Sequence, residues 1–253
     1  MDMRRSLALL PLLAAACLPE AGVLPPDPED VAAVSRAFQA ARPEGPLSLA
    51  LDLELVLPDD ATCPALAVDE ADGREAWTGG CVTADGLRVE GGLERFEGED
   101  VAWMAGNRFR VIDPREGEAI LSIDGAVEVS WYGDLVVLDA SLATCGGPGL
   151  PCAPDGPATV DLALTLYPWS TYPEAYEVTV NGLVDVGDDD PAAVYGTWRA
   201  EDACVAEPAE GTLALEAGRP FGLAFDGGQG CDECAMLAVD GLPTTRACTA
   251  WLP

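Results

Sequence analysis

Leu121-Ser122-Ile123-Asp124-Gly125-Ala126-Val127-Glu128-Val129-Ser130-Trp131 sets apolar side chains at every second position on either side of an Asp-Gly step. A period of two marks a half-buried strand, and Asx-Gly between two such runs is the strongest short-range cue for a hairpin. The same alternation returns at Leu87-Val89, Phe109-Val111, Val160-Leu162-Leu164-Leu166 and Tyr176-Val178-Val180. It continues at Leu213-Leu215, Leu223-Phe225 and Leu237-Val239. Turn signals separate the runs at Asp72-Gly73, Asp85-Gly86, Asp124-Gly125, Asn181-Gly182, Asp226-Gly227 and Asp240-Gly241. Short strands with short turns and no helices between them predict an antiparallel sheet, and one polar face per strand argues against a parallel layered core. The expected fold class is therefore all-β, an antiparallel meander or sandwich of short strands.

Working outward toward the N-terminus, Leu49, Leu51, Leu53, Leu55 and Leu57 alternate with Ser48, Ala50, Asp52, Glu54 and Val56, which reads as a further strand. Before it, Asp27-Pro28-Glu29-Asp30 has the form of a helix start: a capping aspartate, proline in the first turn and acids at the positive end of the dipole. Val31, Val34, Phe38 and Ala41 keep helical spacing until Pro43, so one short N-terminal helix is expected over residues 27–43. The β domain then spans 47–200, and 201–253 forms a cysteine-rich β subdomain continuous with it.

Residues 1–16 have the three parts of an export signal. Arg4 and Arg5 give the basic start, Leu7 to Leu13 the apolar middle, and Ala14-Ala15-Ala16 the small-residue exit. The apolar run is about ten residues, half of what a spanning helix needs. Leu13-Ala14-Ala15-Ala16-Cys17 resembles the lipobox of bacterial lipoproteins, with the leucine four positions before the cysteine rather than three. The resemblance implies cleavage before Cys17, lipid on its sulfur, a tether over 17–26 and a partner in the membrane. Leu18 in place of a retaining aspartate points to the outer membrane or periplasm of a two-membrane cell. The competing reading is an ordinary secretory signal with Cys17 incidental.

Cysteine parity supports the lipid. Nine cysteines would strand one thiol, whereas removing Cys17 leaves Cys63, Cys81, Cys145, Cys152, Cys204, Cys231, Cys234 and Cys248 for four bridges. Cys63 and Cys81 flank a predicted hairpin, and Cys145 and Cys152 flank a glycine- and proline-rich loop, so each couple is expected to pair. The last four allow three pairings. The Asp240-Gly241 turn brings Cys234 toward Cys248, which favours Cys204 with Cys231 as the other bridge. Cys231-Asp232-Glu233-Cys234 has the spacing of a redox pair, but acids between the sulfurs and flanking strands favour structural bridging.

The chain has 44 acidic and 13 basic residues and no histidine, and every one of its cations is arginine. Removal of Asp2, Arg4 and Arg5 with the leader leaves a net charge near -32. Such a field repels phosphate, so nucleic acid is not an expected partner. Without histidine or lysine, Ser-His-Asp relays, His-type zinc sites, Schiff bases and phosphate-loop lysines are excluded. Asp185, Asp188, Asp189 and Asp190 offer oxygen ligands to calcium, but their spacing does not fit an EF-hand loop, and a solvated acidic turn is the favoured reading. No other cofactor is expected. Gly196-Thr197-Trp198 is similar to the Gly-x-Trp of lipocalins, where it lies on the first strand rather than two-thirds along.

No catalytic constellation stands out, so a binding or structural role at the cell envelope, toward a protein or glycan, is expected ahead of enzymatic activity. Two rival classes remain: a carboxylate-dependent glycan hydrolase and a calcium-assisted adhesion module.

Overall fold

The computed structural model describes residues 27–53, 57–60, 62–146, 152, 158–168, 175–185, 191–201, 204, 208–216, 220–226 and 234–248. Among the described residues, two helices, α1 (Pro28–Ala40) and α2 (Glu44–Leu51), precede fourteen strands. These are β1 (Ala65–Asp69), β2 (Arg74–Thr78), β3 (Cys81–Val82), β4 (Arg88–Glu97), β5 (Val101–Asp113), β6 (Glu118–Tyr132) and β7 (Leu135–Cys145). They continue as β8 (Ala158–Pro168), β9 (Ala175–Asp185), β10 (Ala192–Glu201), β11 (Glu210–Glu216), β12 (Phe221–Asp226), β13 (Cys234–Val239) and β14 (Leu242–Cys248). All join one antiparallel sheet in which each strand neighbours the next along the chain, except that β2 and β3 both lie along β4. The expected antiparallel β fold is what the chain adopts.

The alternation proposed for Leu47 to Leu57 is not a strand. Its first half is α2, and Glu54, Leu55 and Val56 lie outside the described residues. Leucine and alanine are strong helix formers, and no β-branched residue occurs from Glu44 to Leu53. A leucine at every second position also places Leu47 and Leu51 four apart, on one helical face, and both pack against the core. Period two and period 3.6 share that spacing, and propensity decided between them.

Two of the proposed turns are also corrected. Asp72-Gly73, Asp85-Gly86 and Asp240-Gly241 do connect strands, whereas Asp124-Gly125 lies inside β6 and Asn181-Gly182 inside β9. Gly125 has φ +122°, and a Cβ there would overlap the Ser141 carbonyl oxygen of β7. Asp124 also stays in the strand, where its Oδ1 accepts the backbone N–H of Arg108 at 3.1 Å. Arg108 has φ 48° beside a register shift between β5 and β6. The pair Asp124-Gly125 therefore accommodates a bulge and a close strand approach.

The helices determine which face of the sheet is buried. Asp27 caps α1 as expected, its Oδ1 accepting the N–H of Glu29 at 2.9 Å. Phe38, fully buried, meets Trp198 of β10 edge-on and Phe225 of β12 at a tilt, both with ring centroids 5.5 Å apart. Trp198 of the Gly-x-Trp triplet is thus a core side chain on the tenth strand. Helix α2 packs on β5 and β6, and its Leu51 carbonyl accepts from Arg95 of β4 at 3.1 Å. Tyr176 of β9 donates to Glu44 at 2.8 Å.

Flat, the sheet's thirteen-strand path would be nearly 60 Å wide at about 4.8 Å per strand. The 13 residues of α1 span only about 20 Å. Strands from β4 to β12 reach the same two short helices, so the sheet curls around them. One continuous core fills the inside, from Val89 on β4 to Ala247 on β14.

Disulfides staple the rim of this shell: Cys63–Cys81, Cys145–Cys152 and Cys234–Cys248, as expected from the hairpins. Cys204 is also disulfide-bonded. Its expected partner, Cys231, lies outside the described residues. With Cys234 bonded to Cys248, the Cys231-x-x-Cys234 redox pair does not form.

Candidate functional site

Alternation that buries one face leaves the other to solvent, and on that outer face register, not sequence proximity, brings side chains together. Across β5 to β9 the outward positions line up as Trp103, Glu128, Asp139, Ala163 and Asn181, each directly opposite the next. A parallel row runs Ala126, Ser141, Asp161 and Leu183. Ala126, Ser141 and Ala163 are small, while Trp103, Leu183 and the carboxylates are tall. The difference in height produces a trough of about 670 Å³, open to solvent.

Glu128 and Asp139 form a like-charge pair across neighbouring strands, an arrangement that destabilises a sheet unless something compensates it. Asp161 stands diagonally from Asp139 on the next strand. Among the described residues, these three carboxylates form no ion pair and accept no hydrogen bond, although the chain's arginines pair with acids elsewhere, as Arg95 does with Glu75 and Arg199 with Glu201. Trp103 closes one end of the trough, stacked on Phe96 at 6.4 Å and covered by the Arg74 guanidinium at 5.9 Å.

The first row continues across Tyr195, Ala214, Gly222 and Ala238 to Pro243. Here a second, mainly apolar hollow of about 400 Å³ opens beside Met236 and Ala224. Tyr195 stands between the two hollows, its hydroxyl donating to Glu216 Oε1 at 2.5 Å. That bond, with desolvation and the Glu216 charge, raises the phenol's pKa above its ordinary value.

The calcium ligands proposed from sequence are only partly placed. Asp185 ends β9, and Asp188, Asp189 and Asp190 lie outside the described residues. Among the described residues no three acidic or cysteine side chains converge into a metal-binding group. Cys17 and the leader also lie outside them. No described helix is long and apolar enough to cross a membrane. The sequence pairs aromatics that could stack on sugar rings at Trp131-Tyr132 and Tyr167-Pro168-Trp169 with Tyr172; of these, Tyr132 and Tyr167 are exposed, Trp131 packs against the core, and Trp169 and Tyr172 lie outside the described residues.

Local reading of the sequence missed the trough. Val127-Glu128-Val129 and Leu138-Asp139-Ala140 announce one outward acid per strand, but nothing in either triplet states that the two acids face each other. Comparison with protein-family models, curated proteins and solved structures finds no match to the chain. The fold and the face together describe an antiparallel meander, curled on a helical pair, with an acid-lined trough on its outside.

Proposed function

We propose that this is an exported, lipid-anchored acidic β protein that acts as a binding module at the cell envelope, held to the membrane through Cys17. The observation that carries this reading is the trough itself: a hollow of ligand size, with an indole at one end and three carboxylates and an amide along its sides. The acidic balance of the chain disfavours nucleic acid as the ligand. The test replaces Ala163 in the trough with a photo-crosslinking amino acid in cells, alongside the same replacement at Gly117 in the β5–β6 turn. Adducts specific to position 163 are expected; equal or absent labelling at the two positions would defeat the binding role.

A second reading, carboxylate-dependent glycan hydrolysis, draws on the direct opposition of Glu128 and Asp139. It requires new reducing ends from envelope glycans that disappear in Glu128→Gln. Turnover by the variant at the normal rate would end it.

A further inference from the structure

We infer that the trough receives an extended polypeptide segment of a partner protein, basic in one half and apolar in the other. This rests on the binding role proposed above and specifies its ligand. Four features of the outer face support it.

The first is charge. Glu128, Asp139 and Asp161 are crowded on neighbouring strands, and no basic residue lines the hollow, so a cationic partner relieves a repulsion that the described chain leaves uncompensated. The second is spacing. Carboxylates on directly opposed and diagonal positions lie about 5 to 8 Å apart at Cβ. Side chains at alternate positions of an extended chain project to one side about 6.6 Å apart, which matches arginines or lysines two residues apart.

The third is shape. Carboxylates spread along a trough, and not converging on a point, fit a string of charges better than one metal ion. The fourth is continuity. The row of outward positions that holds Glu128 and Asp139 continues past Tyr195 into the apolar hollow at Ala214, Gly222, Ala224, Ala238 and Met236. From β5 to β13 that row covers about 38 Å, the reach of roughly a dozen extended residues. A small polyamine would fill the acidic half and leave the apolar half empty, whereas a polypeptide with basic and then apolar side chains fits both.

The experiment measures fluorescence anisotropy of the full chain in detergent with a labelled peptide of about twelve residues. Arginine occupies alternate positions in the peptide's first half, and leucine and valine its second. A peptide of the same composition with the basic and apolar residues interspersed, and spermidine as competitor, complete the set. The ordered peptide is expected to bind at least tenfold more tightly than the interspersed one. Glu128→Gln with Asp139→Asn, and separately Ala163→Trp, should each weaken it at least tenfold. Glu116→Gln with Glu118→Gln, which removes the same charge from the β5–β6 hairpin, should leave it unchanged.

Equal losses from both charge-removing pairs, or equal binding of the two peptides, would reduce the effect to the general acidity of the surface and overturn the assignment. Spermidine binding that is sensitive to the trough variants, with no peptide binding, would overturn the polypeptide while leaving a binding trough. The crosslinking outcome at Ala163 decides the binding role separately.

Discussion

Asp60 ties together the entry to the sheet. Its Oδ1 accepts the N–H and hydroxyl of Thr62, at 2.8 and 2.7 Å, and its Oδ2 accepts the N–H of Ala84 at 2.6 Å, next to the Cys63–Cys81 bridge. These bonds, that from Ala84 foremost, hold its pKa at about 2 instead of 3.8. A carboxyl whose folded pKa is depressed stabilises the fold above its unfolded pKa and loses that contribution as pH falls through the folded value. The window is therefore pH 4 down to about 2. Asp60→Asn should lose less stability than the parent chain across that window in urea titrations. Parallel losses in the two proteins would show that Asp60 carries no such linkage. In the core, Phe38→Ala removes the ring that joins α1 to β10 and β12, and should cost about 3–5 kcal/mol in the same assay. A cost under about 1 kcal/mol would mean that the helix contributes little to the core.

At the scale of elements, two dipeptides that resemble turns serve as points where strands come close. Gly125 is enclosed by the Ser141 carbonyl and Leu142, at a φ that side-chain-bearing residues avoid. Gly125→Val should therefore cost about 3 kcal/mol through overlap and backbone strain combined. The matching change at Gly73, in a real turn with φ +68° and open space around it, incurs strain without overlap and should cost less. Thermal unfolding of the two variants compares them, and a Gly73→Val variant less stable than Gly125→Val would contradict the strand reading of β6. The sequence announced period-two elements correctly for most of the sheet. It failed where an i,i+4 leucine pair and a period-two leucine run coincide, as in α2, and where glycine serves proximity and not reversal.

The whole molecule carries far more acid than base, and self-repulsion opposes the compact state. Salt screens such repulsion over a Debye length of about 10 Å at 0.1 M and 3 Å at 1 M. The melting temperature should consequently rise between those concentrations, by calorimetry. A salt-independent melt would show that the acids are already compensated. The proposed membrane anchor is tested on the whole chain. Cys17→Ala should move the protein from the membrane fraction to the soluble one and abolish incorporation of a labelled fatty acid. Retention in the membrane would show that Cys17 is incidental.

The antiparallel β class, the N-terminal helix cap at Asp27 and the expected Cys63–Cys81, Cys145–Cys152 and Cys234–Cys248 bridges were legible in the chain before folding. Each of these is written in local periodicity or in separations of 7 to 18 residues across a hairpin or loop. Only the tertiary structure shows that the sheet curls around the helices and that Glu128, Asp139 and Asp161 share one trough. Register causes that last difference. Alternation states that a side chain points outward, but which outward side chains meet depends on how each strand slides against the next. That slide is set by the buried face, where Val127, Leu138, Ala140 and Leu162 find their neighbours.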